Sequence, residues 1–327
     1  MVKCALDILV DNLGFESCTE LYEKFMPPIF AGELIYHYTS SSGLQSILKE
    51  NPDKLILRAS RFDCLNDKME GTFARKIFIN NCNEMYHKGE IDKDLHSILV
   101  NTSPTKTTLF YNVGGRRKPI RINREQFLTS LSQDGDSLAM WKYYSKGTQY
   151  DGRNIGLLTS EITNSLKEQF WEKEASFSIF PVVYREEEQK ELITGFINLI
   201  KEAKKYNQDD KLVRALVSEQ LAQWALVFKS QHFSHEEEVR IVIDVGRTTK
   251  NGVLQGSPIP IKYRDSNGYI IPFIELNLSK NSLESVTLAP IGCEKEMKDI
   301  QKTILEDMLC RYGYSAKGYN SGIDMRY

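Results

Sequence analysis

The chain has 327 residues, of which 41% are hydrophobic and 26% charged, and its 42 lysines and arginines against 44 aspartates and glutamates leave a formal net charge of -2. These proportions suit a soluble globular protein that buries a full core without disulfide or metal staples. They exclude a strongly basic chain held on nucleic acid by bulk charge and an acidic disordered one. No run approaches the roughly 18 apolar residues of a membrane span. The CALDILV stretch is broken by Asp7 and is too short and acidic for a secretory leader. A cytoplasmic protein with no membrane partner is expected. The six cysteines form no CxxC pair, so reduced, mostly buried thiols are expected rather than a zinc site.

In chain order, residues 3–27 predict one or two short helices, stopped by Pro27-Pro28. Glu33–Thr39 reads as a strand, and Thr39 to Ser42 offer N-caps to a helix through Gly43–Leu48. A strand at Leu55–Ala59 and a helix over about 68–83 follow, with Met69, Phe73, Ile77 and Phe78 on one face. Residues 84–125 predict a helix and then a long loop or hairpin. Strands are expected at Gln126–Leu131, Asn154–Thr159 and Phe177–Tyr184, with a short helix at about 136–144. A helical pair spans about 186–206 and 211–228. The last third is strand-rich, at Val239–Val245, Ile259–Tyr263, Tyr269–Leu276 and Ser285–Ala289, before a helix at about 294–311 that stops at Gly313. Strands interrupted irregularly by helices make the α+β pattern, not a doubly wound one.

Five segments can carry chemistry. His37 stands at a strand end between Tyr36 and Tyr38, where a ring nitrogen could meet a ribose hydroxyl or simply a backbone carbonyl. Asn66, Asp67 and Glu70 begin a helix, as caps or as a polar wall. Ser130 and Ser132 share one strand face, and Trp141 and Tyr144 share one helix face; small hydroxyls beside aromatics suit a planar ring bearing a ribose, or an ordinary core. On one strand, Glu236, Glu238 and Arg240 would point to one side. Arg240 would then neutralise a carboxylate, leaving a glutamate to bond a sugar hydroxyl and steady an oxocarbenium ion. Last, Arg116, Arg117, Lys118, Arg121 and Arg124 place five basic residues in nine positions, a candidate phosphate-backbone contact or a solvated hairpin.

Together these segments resemble the bacterial domain-of-unknown-function 2971 family. The match runs through Tyr36 to Ser40; Phe62, Asn66, Asp67 and Glu70; Ser130-Leu131-Ser132, Asp136, Leu138, Trp141 and Tyr144; Ile155-Gly156; Lys229, Glu236, Glu238 and Arg240; and Ser321, Ile323 and Arg326. Lys68 replaces a common proline and Val239 a common aromatic, while residues 84–125 have no counterpart. This family in turn is similar to the ADP-ribosyltransferase-like superfamily, which includes toxins that modify DNA bases. The resemblance implies split antiparallel β-sheets, two small packed sheets around a cleft, with helical insertions. It implies a helical extension at 1–30 and one domain over 31–327, with insertions at about 84–125 and 186–228.

It also implies NAD as co-substrate without a metal. His37 would lie at the adenosine-side ribose, Ser130 or Ser132 beside the nicotinamide, and Trp141, Tyr144 or Tyr38 as the framing aromatic. Thr39, Asn66 and Arg240 would complete the site. Glu238 would hold the nicotinamide ribose, with Glu236 as alternative or as acceptor-positioning residue. The expected function is ADP-ribosyl transfer to protein or nucleic acid, or NAD glycohydrolysis, of a toxin or phage-defence type. Two other readings stand beside it: a non-catalytic module binding a nucleotide or partner, and a metal-dependent nuclease using Glu236, Glu238 and His232.

Overall fold

The strands of the central sheet carry apolar side chains on both faces, and helices cover each face. The computed structural model describes residues 5–323 apart from 50, 52, 66–69, 105–107, 114–115, 122, 145–151, 172, 174, 207–208, 248, 251–252, 255–258, 267 and 291–294. Helices α1 (Ala5–Asn12) and α2 (Cys18–Glu23) lead to β1 (Leu34–Ser40), α3 (Ser41–Lys49) and β2 (Lys54–Arg61). Then come α4 (Glu70–His87), α5 (Lys93–Val100), β3 (Thr108–Val113), β4 (Arg116–Arg121) and β5 (Asn123–Ser132). Next are α6 (Leu138–Tyr144), β6 (Gly152–Leu158), α7 (Thr159–Phe170), β7 (Ala175–Pro181) and the pair α8 (Glu186–Tyr206) and α9 (Asp210–Ala225). The rest is β8 (Glu238–Arg247), β9 (Thr249–Lys250), β10 (Val253–Leu254), β11 (Lys262–Ser266), β12 (Tyr269–Ser279), β13 (Leu283–Leu288), α10 (Lys295–Arg311) and β14 (Lys317–Asn320).

Among the described residues, ten strands form one hydrogen-bonded network. Its main path is β11-β12-β2-β5-β1-β6-β13-β14, and β8 and β7 extend it from β5. Among these described strands only β13 and β14 run parallel; the α+β class expected from the sequence is what the chain adopts. The two small sheets expected from the resemblance are here joined through β5. One edge of β5 pairs with β8 over its whole length, from Asn123↔Arg247 to Ser132↔Glu238. The other edge is divided: Phe127 and Leu128 pair with β2, and Ser132 pairs with Tyr36 of β1. The sheet therefore forks between β1 and β2, and the fork leaves the carbonyl of Ser130 to a side chain.

Strand alternation sets the two core faces. Phe127, Leu131, Ile241 and Ile243 pack with Ile35 and with α3, α7 and α10 on one face. Leu128 and Val242 pack with α4, α5, α8 and α9 on the other, around Trp224, which stacks on Phe228 at 5.5 Å. The N-terminal helices belong to this second layer through Leu9, Val10, Leu21 and Phe25. Ser40, one of the caps the sequence offers, accepts through Oγ from the Gly43 amide at 3.1 Å, and Asp92 caps α5 by accepting from the Leu95 amide at 2.8 Å. Gly313, at φ +75, ends α10 as expected.

Three expectations shift. The strand expected at Ile259–Tyr263 begins at Lys262, α7 stands where no helix is expected, and among the described residues the thiols are less buried than expected, with Cys82 buried, Cys18 and Cys64 intermediate and Cys310 exposed. Among the described residues no helix is long and apolar enough to cross a membrane.

Candidate functional site

The fork in the sheet and the end of the β5–β8 ladder frame a crevice. Its walls are Tyr36 and Tyr38 from β1, Ser130 and Leu131 from β5, Met140 from α6, and Glu236 and Glu238, and the cavity between them has a volume of about 10 Å³. Lining pockets for whole drug-sized ligands run to roughly 300–1,000 Å³. This one holds about one water as it stands, and its walls would have to part to admit a ring.

Acidic residues at its base are held by two cations. Glu238, 5% exposed, accepts from Arg240 Nε at 2.8 Å through Oε1, and from Arg240 Nη2 at 2.9 Å and Lys229 Nζ at 3.1 Å through Oε2. Its amide donates to the Tyr184 hydroxyl at 3.0 Å. Burial alone pushes the Glu238 carboxyl up. Arg240, Lys229 and the Ser130 hydroxyl together outweigh it and hold the group at about 2. Arg240, 1% exposed, stands behind Glu238, where its Nη1 also donates to the Leu226 carbonyl at 2.8 Å. It positions the carboxylate and does not line the crevice.

Glu236 is placed differently from its expected strand position. It ends a 3₁₀ turn, Gln231–Glu236, and Glu237 turns the chain through the left-handed region at φ 42 before β8 begins. Glu236 Oε2 accepts from Lys229 Nζ at 2.7 Å; the side chain is 17% exposed, and Oε1 takes no partner among the described residues. Lys229 thus joins both carboxylates. It was named in the sequence motif but not as a site residue, and its signal was a lone lysine just before the Glu-x-Glu-x-Arg row.

The two serines separate. Ser130 lines the crevice beside Glu238. Ser132 is fully buried; its hydroxyl donates to the Glu236 carbonyl at 2.7 Å and accepts from the Asp134 amide at 3.1 Å, anchoring the Glu236 turn to β5. Tyr36, absent from the sequence candidates, forms a wall. It sits two residues before Tyr38 and shares its strand face, a spacing that could have found it. Its ring lies between two glycines: a Cβ at Gly135 would come within 2.8 Å of it, and one at Gly156 within 3.1 Å while overlapping Ser285 Oγ. The Gly156 of the sequence motif is thus a close-approach residue.

Tyr38 and Trp141 make a buried aromatic corner. Their rings meet edge to face at 4.8 Å, and the Tyr38 hydroxyl donates to the Asp134 carbonyl and accepts from the Ser137 amide, each at 2.8 Å. Burial pushes the Tyr38 phenol well above its usual range. Trp141, 3% exposed, donates from Nε1 to Asp136 Oδ1 at 2.8 Å, so its face is not open as a stacking platform. The same Asp136 accepts from Ser321 Oγ at 2.6 Å and from the Gly322 amide at 2.7 Å, and Ile323 packs on the corner. The motif residues Asp136, Trp141, Ser321 and Ile323 therefore form one structural clasp.

His37 and Thr39 alternate to the opposite side of β1 from Tyr36 and Tyr38. His37 Nδ1 lies 3.4 Å from the Ser130 carbonyl, the group left over at the fork. Burial pushes this imidazole down, against the pull of that carbonyl, which keeps the ring neutral and donating. Thr39 pairs with Arg153 in β6 and crowds Gly43. Neither lines the crevice. Asn66 and Arg326 lie outside the described residues, as do the side chains of Glu70, Tyr144, Arg116, Arg117, Lys118, Arg121 and Arg124. The turn carrying Glu236 also meets α6, where Tyr143 lies 5.7 Å from His235, ring to ring. Among the described residues no three His, Cys, Asp or Glu side chains converge as a metal-ligand set, His232 included.

Residues 140–241 match the model of a protein family of unknown function, DUF2971. The stretch runs from the crevice wall at Met140 through Lys229, Glu236, Glu238 and Arg240. The walls from β1 and β5 lie outside it. No curated protein and no solved structure matches the chain.

Proposed function

We propose that the chain cleaves the bond between nicotinamide and ribose in NAD, as an ADP-ribosyltransferase or as an NAD glycohydrolase. The crevice, with room for about one water as it stands, would have to open to take the nicotinamide–ribose half, with the rest of the dinucleotide outside it. The observation that carries this reading is Glu236, a carboxylate with one oxygen uncommitted among the described residues and facing the same crevice as Tyr36, Tyr38 and Ser130.

Glycosidic cleavage develops positive charge on the anomeric carbon and ring oxygen of the ribose, and a fixed carboxylate beside them lowers the barrier. The two tyrosine rings offer apolar walls to a planar leaving group, and the Ser130 hydroxyl can bond a carboxamide or ribose hydroxyl. Glu238, saturated by Arg240 and Lys229, acts as the pivot that fixes Lys229 and, through it, Glu236. The catalytic weight thus passes from Glu238, favoured by the sequence resemblance, to Glu236. Water, protein or nucleic acid serves as acceptor, and a bacterial toxin or phage-defence setting belongs to the same proposal.

The test is incubation with NAD and candidate acceptors while nicotinamide release is followed. Glu236→Gln should lower the rate on the order of 10²–10³-fold, and undiminished release would remove Glu236 from the reaction. The saturation of Glu238 favours a second reading, a module that binds a nucleotide and leaves it intact. NAD retained in equilibrium dialysis without nicotinamide release would select it.

A further inference from the structure

Residues 108–124 hold five basic and no acidic side chains, and residues 245–254 hold two basic and none acidic. The remainder of the chain therefore carries -9 against the total of -2. Far apart in sequence, the two stretches meet in the fold. Strands β3 and β4 form a two-stranded ribbon of their own, as do β9 and β10. Both ribbons leave the same end of the β5–β8 ladder, where Asn123 pairs with Arg247 and Arg124 with Gly246, and β4 lies against β9. Arg116, Arg117, Lys118 and Arg121 on β4 are thus brought beside Arg124, Arg247 and Lys250.

We propose that the paired ribbons form an arm that grips nucleic acid by its phosphate backbone. Within β4, residues alternate faces, so Arg116 and Lys118 occupy one and Arg117 and Arg121 the other. The cross-strand register puts Tyr111 opposite Lys118 and Asn112 opposite Arg117. A lipid surface meets one face of such a ribbon, whereas the walls of a nucleic-acid groove meet both. The major groove of a duplex admits a two-stranded ribbon. Neutralising phosphates releases condensed counterions, which makes this attachment strongly salt-dependent. Local charge of this kind operates although the chain as a whole is near neutral.

The arm is independent of the nucleotide chemistry proposed above, and its test contains no NAD. The full chain is titrated into a labelled DNA duplex of about 24 base pairs, between about 50 and 200 mM salt, with anisotropy as readout. Log affinity against log salt should fall with a slope of about -4 or steeper. A triple variant, Arg116→Glu, Arg117→Glu and Lys118→Glu, and a separate double variant, Arg247→Glu and Lys250→Glu, should each weaken binding at least about tenfold and flatten the slope by about 1 per residue. The slope of the unaltered chain reads the same contacts if a variant misfolds. No duplex binding at the lowest salt overturns the proposal. So does unchanged affinity in the double variant, which would break the pairing of the ribbons. So does retained duplex binding in variants that lose attachment to phosphatidylserine vesicles.

Discussion

At the scale of single residues, the acidic pair divides into a framework and a working group. Glu238 is ionised at about 2 in the folded protein, against an ordinary 4.5. Because the folded value is the lower one, the stability tied to its ionised form is complete above about pH 4.5 and is lost as pH falls toward 2. Thermal melts between pH 7 and pH 3 should show that loss, and Glu238→Gln should flatten it. At pH 7 the same variant leaves Arg240 buried without its carboxylate and should cost about 3–5 kcal/mol in denaturant unfolding. Glu236→Gln should cost less than that, because Lys229 keeps Glu238 as its partner, while abolishing most turnover. Equal destabilisation by the two substitutions would contradict the division. The sequence presented both glutamates as equivalent members of a strand row, and alternation alone could not separate them. The 3₁₀ turn and the left-handed Glu237 break that row, and neither has a signature in the residues themselves.

At the scale of elements, the crevice depends on close packing between β1, β6 and the loop before α6. Gly156→Ala would drive a methyl into Ser285 and the Tyr36 ring, which is itself pressed by Gly135. The cost should be about 1–3 kcal/mol, read as a lowered melting temperature, together with reduced affinity for any crevice ligand. Unchanged stability and binding would show that Tyr36 is free to move. Asp136→Ala removes the shared acceptor of Trp141, Ser321 and Gly322, and should cost about 3 kcal/mol by urea unfolding. Most elements were legible because their signals are local: α8 runs over the residues its apolar stripe predicted, and β3 and β4 pair within the stretch read as a long loop or hairpin. Helix α7 carries a weak signal, because Ser, Thr and Asn, poor helix formers, supply five of its 12 residues. Its core contacts, Ile162, Leu166 and Phe170, recur four apart and bury only three large apolar residues.

At the scale of the whole molecule, helices on both faces leave the sheet little tolerance for loss on either side. Trp224 is fully buried, packs between Phe196 and Phe228, and donates to the Phe25 carbonyl at 2.7 Å. Trp224→Ala should cost about 3–5 kcal/mol. Removing residues 1–30 should destabilise the remainder in the same assay, because Leu9, Leu21 and Phe25 belong to that core; a truncated chain melting like the full one would show that these contacts add nothing to stability. The β5–β8 ladder also spans the molecule. The candidate acidic site lies at its Ser132↔Glu238 end and the basic ribbons at its Asn123↔Arg247 end, about 30 Å apart along the strands.

The sequence by itself determined what local chemistry controls: the α+β class, the positions of most strands and helices, the acidic and basic clusters, and, within residues 140–241, a match to a family of unknown function. It could not assign roles within those motifs. Only the tertiary structure showed that Asp136, Trp141 and Ser321 form a clasp, that His37 caps the fork at Ser130, and that Tyr36 and Lys229 complete the crevice. The physical reason is that these roles arise from contacts between residues distant along the chain. Strand pairing, a fork in the sheet and one left-handed turn set those contacts, and periodicity along a single chain carries no record of them.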